Sequence, residues 1–186
     1  MNKNNGYLSL IIGPMFSGKS TKLIQYIKKY KTLNKNIMVI KPSLDNRYTE
    51  SSNICTHDME KQSCMMFDKN KLNDIFINDT YIVSEIVMIE EGQFFNNLYD
   101  IVKQILNDKK TIFISALNGD SNQELFGDIY KLISICDNIE FLHALCLDCA
   151  DGTNAIFSKR LSNNQEQILV AGASEYKAVC RYHYFN

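Results

Sequence analysis

Gly13-Pro-Met-Phe-Ser-Gly18-Lys19-Ser20 fits the pattern Gly-x-x-x-x-Gly-Lys-Ser/Thr, whose chemistry is the gripping of phosphate. The glycines let backbone N–H groups close around phosphate oxygens. Lys19 brings a positive charge to the β- and γ-phosphates, and the Ser20 hydroxyl can ligate Mg²⁺ at a helix N-terminus. Before the loop, Tyr7-Leu-Ser-Leu-Ile-Ile reads as a buried strand; after it, Thr21 to Lys31 carries Leu23, Ile24 and Ile27 at helical spacing. Strand, glycine loop and helix are the setting that this chemistry needs, and they point to a bound nucleoside triphosphate. A chance match in an ordinary strand-to-helix turn would require four fixed positions to coincide.

A second group of reactive side chains lies toward the end. Cys146-Leu-Asp-Cys149 and Cys180-Arg-Tyr-His183 are two pairs, each with two residues between its members, separated by thirty residues. Four donors so spaced reach the corners of a tetrahedron, as a closed structural zinc site requires. With every corner taken by protein, such a metal pins the chain and leaves no position for a reacting water. Separate buried thiols with a surface His183 are the alternative. The third constellation is Ile86-Val-Met-Ile-Glu90-Glu91-Gly-Gln-Phe-Phe95, an apolar strand that ends in paired carboxylates. Beside a phosphate loop, one acid can position magnesium while the other acts as a base. A solvated acidic turn is the plainer reading of two glutamates alone.

Something must hold these groups in register. Strands are expected at 7–13, 37–41, near 86–90 and at 111–116, helices at 19–31 and 97–107, and an irregular polar stretch at 42–58. After Asn97, the residues Leu98, Ile101, Val102, Ile105 and Leu106 form one stripe, the packing face of a helix that covers a sheet. This alternation predicts an α/β fold of the P-loop NTPase kind, a mostly parallel sheet flanked by helices, with ligands beyond the carboxyl ends of its strands. After about residue 143 the texture changes to short β-rich pieces that hold three of the six cysteines. The expected division is therefore an ATP-binding unit over 1–142 and a small zinc-binding lobe over 143–186.

Composition sets outer limits. A chain of 186 residues, 45% hydrophobic, buries one substantial core and has room for a small appended lobe. A net charge of -1 lacks the basic excess of a nucleic-acid binder, so neither a nucleic acid nor a membrane is expected as partner. The N-terminus shows one lysine before a short apolar run that ends at a glycine loop, which is neither a secretory segment nor a membrane span. The setting is then expected to be cytoplasmic and reducing, with the cysteines serving as thiols or metal ligands.

Taken together, these motifs resemble the cytosolic-type thymidine kinases, from about Tyr7 to Phe185. Gly-Pro-Met-Phe-Ser-Gly-Lys-Ser matches that family's phosphate loop in full, including Met15 and Phe16, which a generic loop leaves open. Asp45-Asn-Arg47-Tyr48 is similar to its Asp-x-Arg-Tyr segment, Thr56-His57-Asp58 to the Thr-His-Asp that follows, and Glu90-Glu91-Gly-Gln-Phe-Phe to its Asp-Glu-Gly-Gln-Phe-Phe. Leu117-Asn-Gly119 and Phe126-Gly127 fall on the substrate-side loop. Phe157-Ser-Lys-Arg160 and Ala171-Gly-Ala-Ser-Glu-Tyr176 fall on a lasso loop closed by the zinc.

The resemblance implies transfer of the γ-phosphate of ATP to the 5′-hydroxyl of thymidine, with Mg²⁺ and a structural Zn²⁺. It implies Glu91 as the base that accepts the hydroxyl proton and Glu90 as the acid that holds the metal through water. Gly13, Pro14, Met15, Phe16, Ser17, Gly18, Lys19 and Ser20 would surround the phosphates, with Asp45, Arg47 and Gln93 on the same side. Arg47 as a surface ion-pair residue is the alternative there. For thymine it implies a pocket of Met15, Phe94, Leu117, Phe126 and Tyr176 under the lasso stretch Gln167, Ile168, Leu169, Val170 and Ala171. Purines would leave donors and acceptors there unpaired, at about 1–3 kcal/mol each. A homotetramer inhibited by thymidine triphosphate also follows from the resemblance.

The chain departs from the family in places. Glu90 stands for an aspartate, Asn118 for a common aspartate, Ser121 for a common aromatic residue, and His183 for the fourth cysteine. The last exchange keeps a good zinc ligand. Competing readings are a P-loop ATPase or switch module with a zinc interaction lobe, a deoxynucleoside kinase of other base choice, and a catalytically impaired relative.

Overall fold

The computed structural model describes residues 5–43, 53–55, 61–162, 166–168 and 174–186. Its strands are β1 (Tyr7–Gly13), β2 (Ile37–Pro42), β3 (Asn53–Cys55), β4 (Lys61–Ser63), β5 (Met65–Phe67), β6 (Ile86–Ile89), β7 (Thr111–Leu117), β8 (Asn138–Phe141), β9 (Ala144–Leu145), β10 (Asn154–Ala155), β11 (Phe157–Arg160) and β12 (Tyr176–Val179). The helices are α1 (Lys19–Lys31), α2 (Asp79–Val83), α3 (Leu98–Asn107), α4 (Ile129–Leu132) and α5 (Arg181–Phe185).

Six strands form one sheet in the order β5-β2-β6-β7-β1-β8, and every neighbouring pair in it is parallel. The central strands are buried on both faces, which explains why their sequences read as apolar runs rather than alternations. On one face Leu8, Leu10, Ile12, Met38, Ile40, Val87, Ile89, Ile112 and Ile114 meet Leu98, Ile101, Val102 and Ile105 of α3. On the other, Ile11, Val39, Ile86, Met88 and Phe113 meet Leu23, Ile24, Ile27 and Tyr30 of α1. Odd and even positions of each strand thus feed separate cores, a consequence of the two-residue strand period. The stripe expected after Asn97 is the inner face of α3, although Leu106 is only partly buried. No helix among the described residues is long and apolar enough to cross a membrane.

The sheet has two edges that its sequence did not announce. Within the expected irregular stretch β3 forms and pairs antiparallel with β4, and β5 adds beside β2. β8 adds beside β1 at the opposite edge. Each is short and partly exposed, so burial imprints no continuous apolar run on it. Beyond residue 143 the strands leave the large sheet: β9 pairs with β10 and β11 with β12, both antiparallel. Their apolar core is small, Ala144, Cys146, Ala155, Ala178 and Val179.

Candidate active site and metal centre

Parallel strands end together, and here their ends carry the chemistry. Gly13 closes β1 opposite Leu117 at the end of β7, while Glu90 and Glu91 follow β6. At Gly13 an added Cβ would lie 2.4 Å from the Leu142 carbonyl oxygen and 2.8 Å from Ser17 Oγ, so a side chain there would force the loop open. Gly18 has φ 81°, a left-handed conformation that disfavours other residues, and it leads into α1. Among the described residues no side chain caps α1 and no acid lies in its first turn. A helix start of this kind, with its positive dipole end, suits an anion. Lys19 is buried and its Nζ donates to the Pro14 carbonyl at 2.7 Å, while Ser17 Oγ donates to the same oxygen at 2.8 Å.

Both glutamates are buried, Glu90 at 3% exposure and Glu91 at 8%. Buried carboxylates need donors. Glu90 receives two hydroxyls, Ser20 Oγ on Oε1 and Ser115 Oγ on Oε2. Ser20 Oγ and this carboxylate are hard oxygen donors of the kind Mg²⁺ prefers, so the residues present fit that ion. Glu91 adopts φ 52° and ψ 48°, a left-handed backbone that costs a non-glycine residue about 1–3 kcal/mol. Gln93 Nε2 donates to Glu91 Oε2 at 2.5 Å, and Gln93 Oε1 accepts the Leu117 N–H at 3.1 Å. Expected on the phosphate side, Gln93 thus spends its amide fixing Glu91 against the end of β7.

Beside the glutamates lies an apolar cluster of Met15, Leu117, Phe126 and Tyr176, with Phe16, Phe94 and Ile168 packed on it. Phe94 and Phe126 meet edge to face, with centroids 5.4 Å apart. Gln167 Nε2 donates to Asp120 Oδ2 at 2.9 Å and to the Leu125 carbonyl at 3.2 Å. Arg160 donates to the Tyr176 hydroxyl at 2.7 Å and to the Glu166 carbonyl at 2.6 Å, so it ties this segment to the cluster. Asp45, Arg47, Thr56, His57, Asp58, Leu169, Val170 and Ala171 lie outside the described residues.

The sites of departure acquire partners here. Asn118 Nδ2 donates to the Ile156 carbonyl at 3.3 Å, a bond that an ionised aspartate could not make. Ser121 Oγ is buried with no hydrogen-bond partner among the described residues, while its carbonyl accepts the Tyr184 hydroxyl at 2.7 Å. Sequence reading missed Ser115 and Ser158. Ser158 Oγ accepts the Met15 N–H at 2.9 Å and so joins the phosphate-loop segment to β11. For Ser115 the available signal was a lone hydroxyl inside the apolar run of β7; for Ser158, 143 residues from its partner, there was none.

The structure brings Cys146, Cys149, Cys180 and His183 together, with their donor atoms all within 4.8 Å of one another. His183 Nδ1 lies 3.3 Å from Cys149 Sγ, 3.5 Å from Cys180 Sγ and 3.6 Å from Cys146 Sγ; Cys149 and Cys180 Sγ are 3.7 Å apart. Zinc bonds of about 2.3 Å to sulfur and about 2.0 Å to nitrogen put tetrahedral corners roughly 3.5–3.8 Å apart, so the four donors fit the ion. Burial works to raise the Cys146 thiol, but N–H groups of Cys180 and Cys149 and the His183 side chain outweigh it and bring it down to about 6. Burial, with Cys146 and Cys180 as neighbours, pushes Cys149 up to about 11. These hydrogen bonds favour the thiolate of Cys146, the form that binds metal.

A parallel α/β sheet with a phosphate-loop sequence at its strand ends and a thiol–imidazole cluster in a small lobe defines the class. The sequence profile of the thymidine kinase family matches residues 6–184. The chain is 38% identical over 185 residues to the thymidine kinase of Yaba monkey tumor virus, covering 100% of this chain and 98% of that protein. It is 35% identical over 186 residues to that of fowlpox virus, covering 98% and 99%. Against the human cytosolic thymidine kinase it is 32% identical over 187 residues, covering 98% of this chain and 75% of the human one. The chain belongs to the thymidine kinase family.

Proposed function

We propose that the protein transfers the γ-phosphate of ATP to the 5′-hydroxyl of thymidine, and of deoxyuridine, to supply deoxynucleotides for DNA synthesis. The observation that carries this reading is the meeting, at one end of one parallel sheet, of the 13–20 loop, two buried glutamates and an apolar cluster. Phosphoryl transfer asks a protein chiefly for alignment and charge neutralisation. In this reading the N–H groups of the loop and Lys19 hold the ATP phosphates, and Met15, Phe94, Leu117, Phe126 and Tyr176 enclose the pyrimidine. The stretch from Gln167 to Ala171 covers it as a lasso, with Asp45 and Arg47 near the phosphates.

Glu91 takes the proton from the 5′-hydroxyl at its carboxylate, with Gln93 holding one of its oxygens in place. Ser20 and Glu90 would hold Mg²⁺, which when bound neutralises charge on the phosphates. Zn²⁺ on Cys146, Cys149, Cys180 and His183 would serve structure alone, because all four corners belong to the protein. The same reading divides the chain into an ATP-binding unit to residue 142 and a zinc lobe from 143. Reduced thiols as ligands suit a cytoplasmic setting. A homotetramer controlled by thymidine triphosphate belongs to the reading, and light scattering with and without that nucleotide tests it.

The decisive assay is ATP turnover with a panel of nucleosides. Turnover that depends on thymidine or deoxyuridine, and much less on deoxycytidine or deoxyadenosine, is expected. Hydrolysis indifferent to added nucleoside would instead favour an ATPase. Glu91→Gln should retain ATP and thymidine binding and lose about 10²–10⁴-fold in kcat.

A further inference from the structure

Resting on the kinase reading, we propose that Ser115 is a positioning residue that fixes the Glu90 carboxylate against Ser20 for the metal-bound nucleotide. Ile89 of β6 pairs with Ile114 of β7, which makes Ser115 the β7 residue level with Glu90. Ser115 is 1% exposed and lies among apolar residues, so its hydroxyl is built in rather than left over. It donates to Glu90 Oε2, while Ser20 donates to Glu90 Oε1. The same Ser115 oxygen accepts the Glu91 N–H at 3.4 Å. One proton and two lone pairs allow a hydroxyl both roles at once.

The arrangement answers a difficulty peculiar to a glutamate at this position. Its side chain has one more rotatable bond than an aspartate would, hence more conformations to lose before the carboxylate is aligned. Two hydroxyls on opposite oxygens remove that freedom. Because Ser20 gives its proton to Glu90, the lone pairs of Ser20 Oγ remain available to a cation. Ser115 reaches no phosphate in this scheme; it acts through Glu90 and through the backbone of Glu91. Such supporting hydrogen bonds around metal-holding carboxylates typically change metal affinity about 10- to 100-fold.

The test is titration calorimetry of a non-hydrolysable ATP analogue with Mg²⁺ and again with chelator, which isolates the affinity gained through the metal. Ser115→Ala should cut that gain roughly tenfold and leave metal-free affinity unchanged. Ser115→Thr should retain the gain. Ser115→Cys, close in size but a weak donor, should lose most of it while melting near wild type, which separates positioning from folding. With Glu90→Ala in place, Ser115→Ala should have no further effect. An unchanged gain in folded Ser115→Ala or Ser115→Cys, or fully additive losses, would overturn the role of Ser115 while thymidine-dependent turnover by wild type left the kinase reading standing. Wild-type protein without such turnover would sink the kinase reading and take this inference with it.

Discussion

The large sheet and the small lobe differ in how much apolar side chain they bury. In the sheet, apolar side chains from four buried strands pack against α1 and α3 on opposite faces. In the lobe, two two-stranded sheets share a core of three alanines, one valine and Cys146. Phe16, Phe157 and Tyr184 pack against that core only partly buried; in the reading proposed above, zinc on the Cys/His cluster would add about 10–16 kcal/mol of binding energy, as in small zinc domains. In the same reading, the phosphate-loop segment and the glutamates sit on the part that needs no metal, and Ser158 and Tyr176 on the part that zinc would pin. Two regions with such different cores are expected to open one at a time.

The sharpest way to break that contrast is to remove the metal. A chelator should raise hydrogen exchange in 144–160 and 176–185 while β1, β2, β6 and β7 stay protected; thymidine-dependent turnover should fall by orders of magnitude and ATP affinity change little. Simultaneous loss of protection in both regions would erase the distinction. Next in size is Leu10→Ala, which opens a cavity in the sheet core and should cost about 3–5 kcal/mol by denaturant unfolding, with zinc content unaltered. Ser158→Ala strips the Met15 N–H of its acceptor, so a loss of about 1–3 kcal/mol and a several-fold rise in KM for thymidine are expected, again with zinc retained.

Smallest is Glu140→Gln at the β8 edge. Burial acts to raise the Glu140 carboxyl, but Lys22 at 2.8 Å and the Tyr26 hydroxyl outweigh it and hold it below its ordinary value of 4.5. A carboxyl lowered in the folded state contributes stability above its unfolded value and loses it as pH falls through the folded one. The substitution should thus cost about 1 kcal/mol or less at pH 7, and the cost should shrink as the pH is lowered below the ordinary carboxyl value, as read from melting curves across that range. A cost that does not change with pH would assign it to packing.

Much of this was legible beforehand, for stated reasons. β1, β2, β6 and β7 are buried on both faces and so announce themselves as apolar runs, and the helix after Asn97 shows its inner face at the right period. The Cys/His spacing named four residues whose donor atoms the fold brings within bonding range of one ion. What stayed hidden was whatever depends on long-range register or on half-exposed edges. β5 and β8 bury too little to leave a pattern, and the hydroxyls of Ser115 and Ser158 reach partners fixed only by how distant strands align. The family resemblance put Gln93 on the phosphate side, and nothing in the sequence pointed to its amide contact with Glu91.

The claim on which the rest depends is that sheet and lobe converge on a single nucleoside. A crystal structure with thymidine and a non-hydrolysable ATP analogue tests it most directly. The pyrimidine should lie among Met15, Leu117, Phe126 and Tyr176, with the 5′-hydroxyl at the Glu91 carboxylate and the phosphates on the 13–20 loop. Thymidine bound away from Glu91, or phosphates bound away from that loop, would contradict the account.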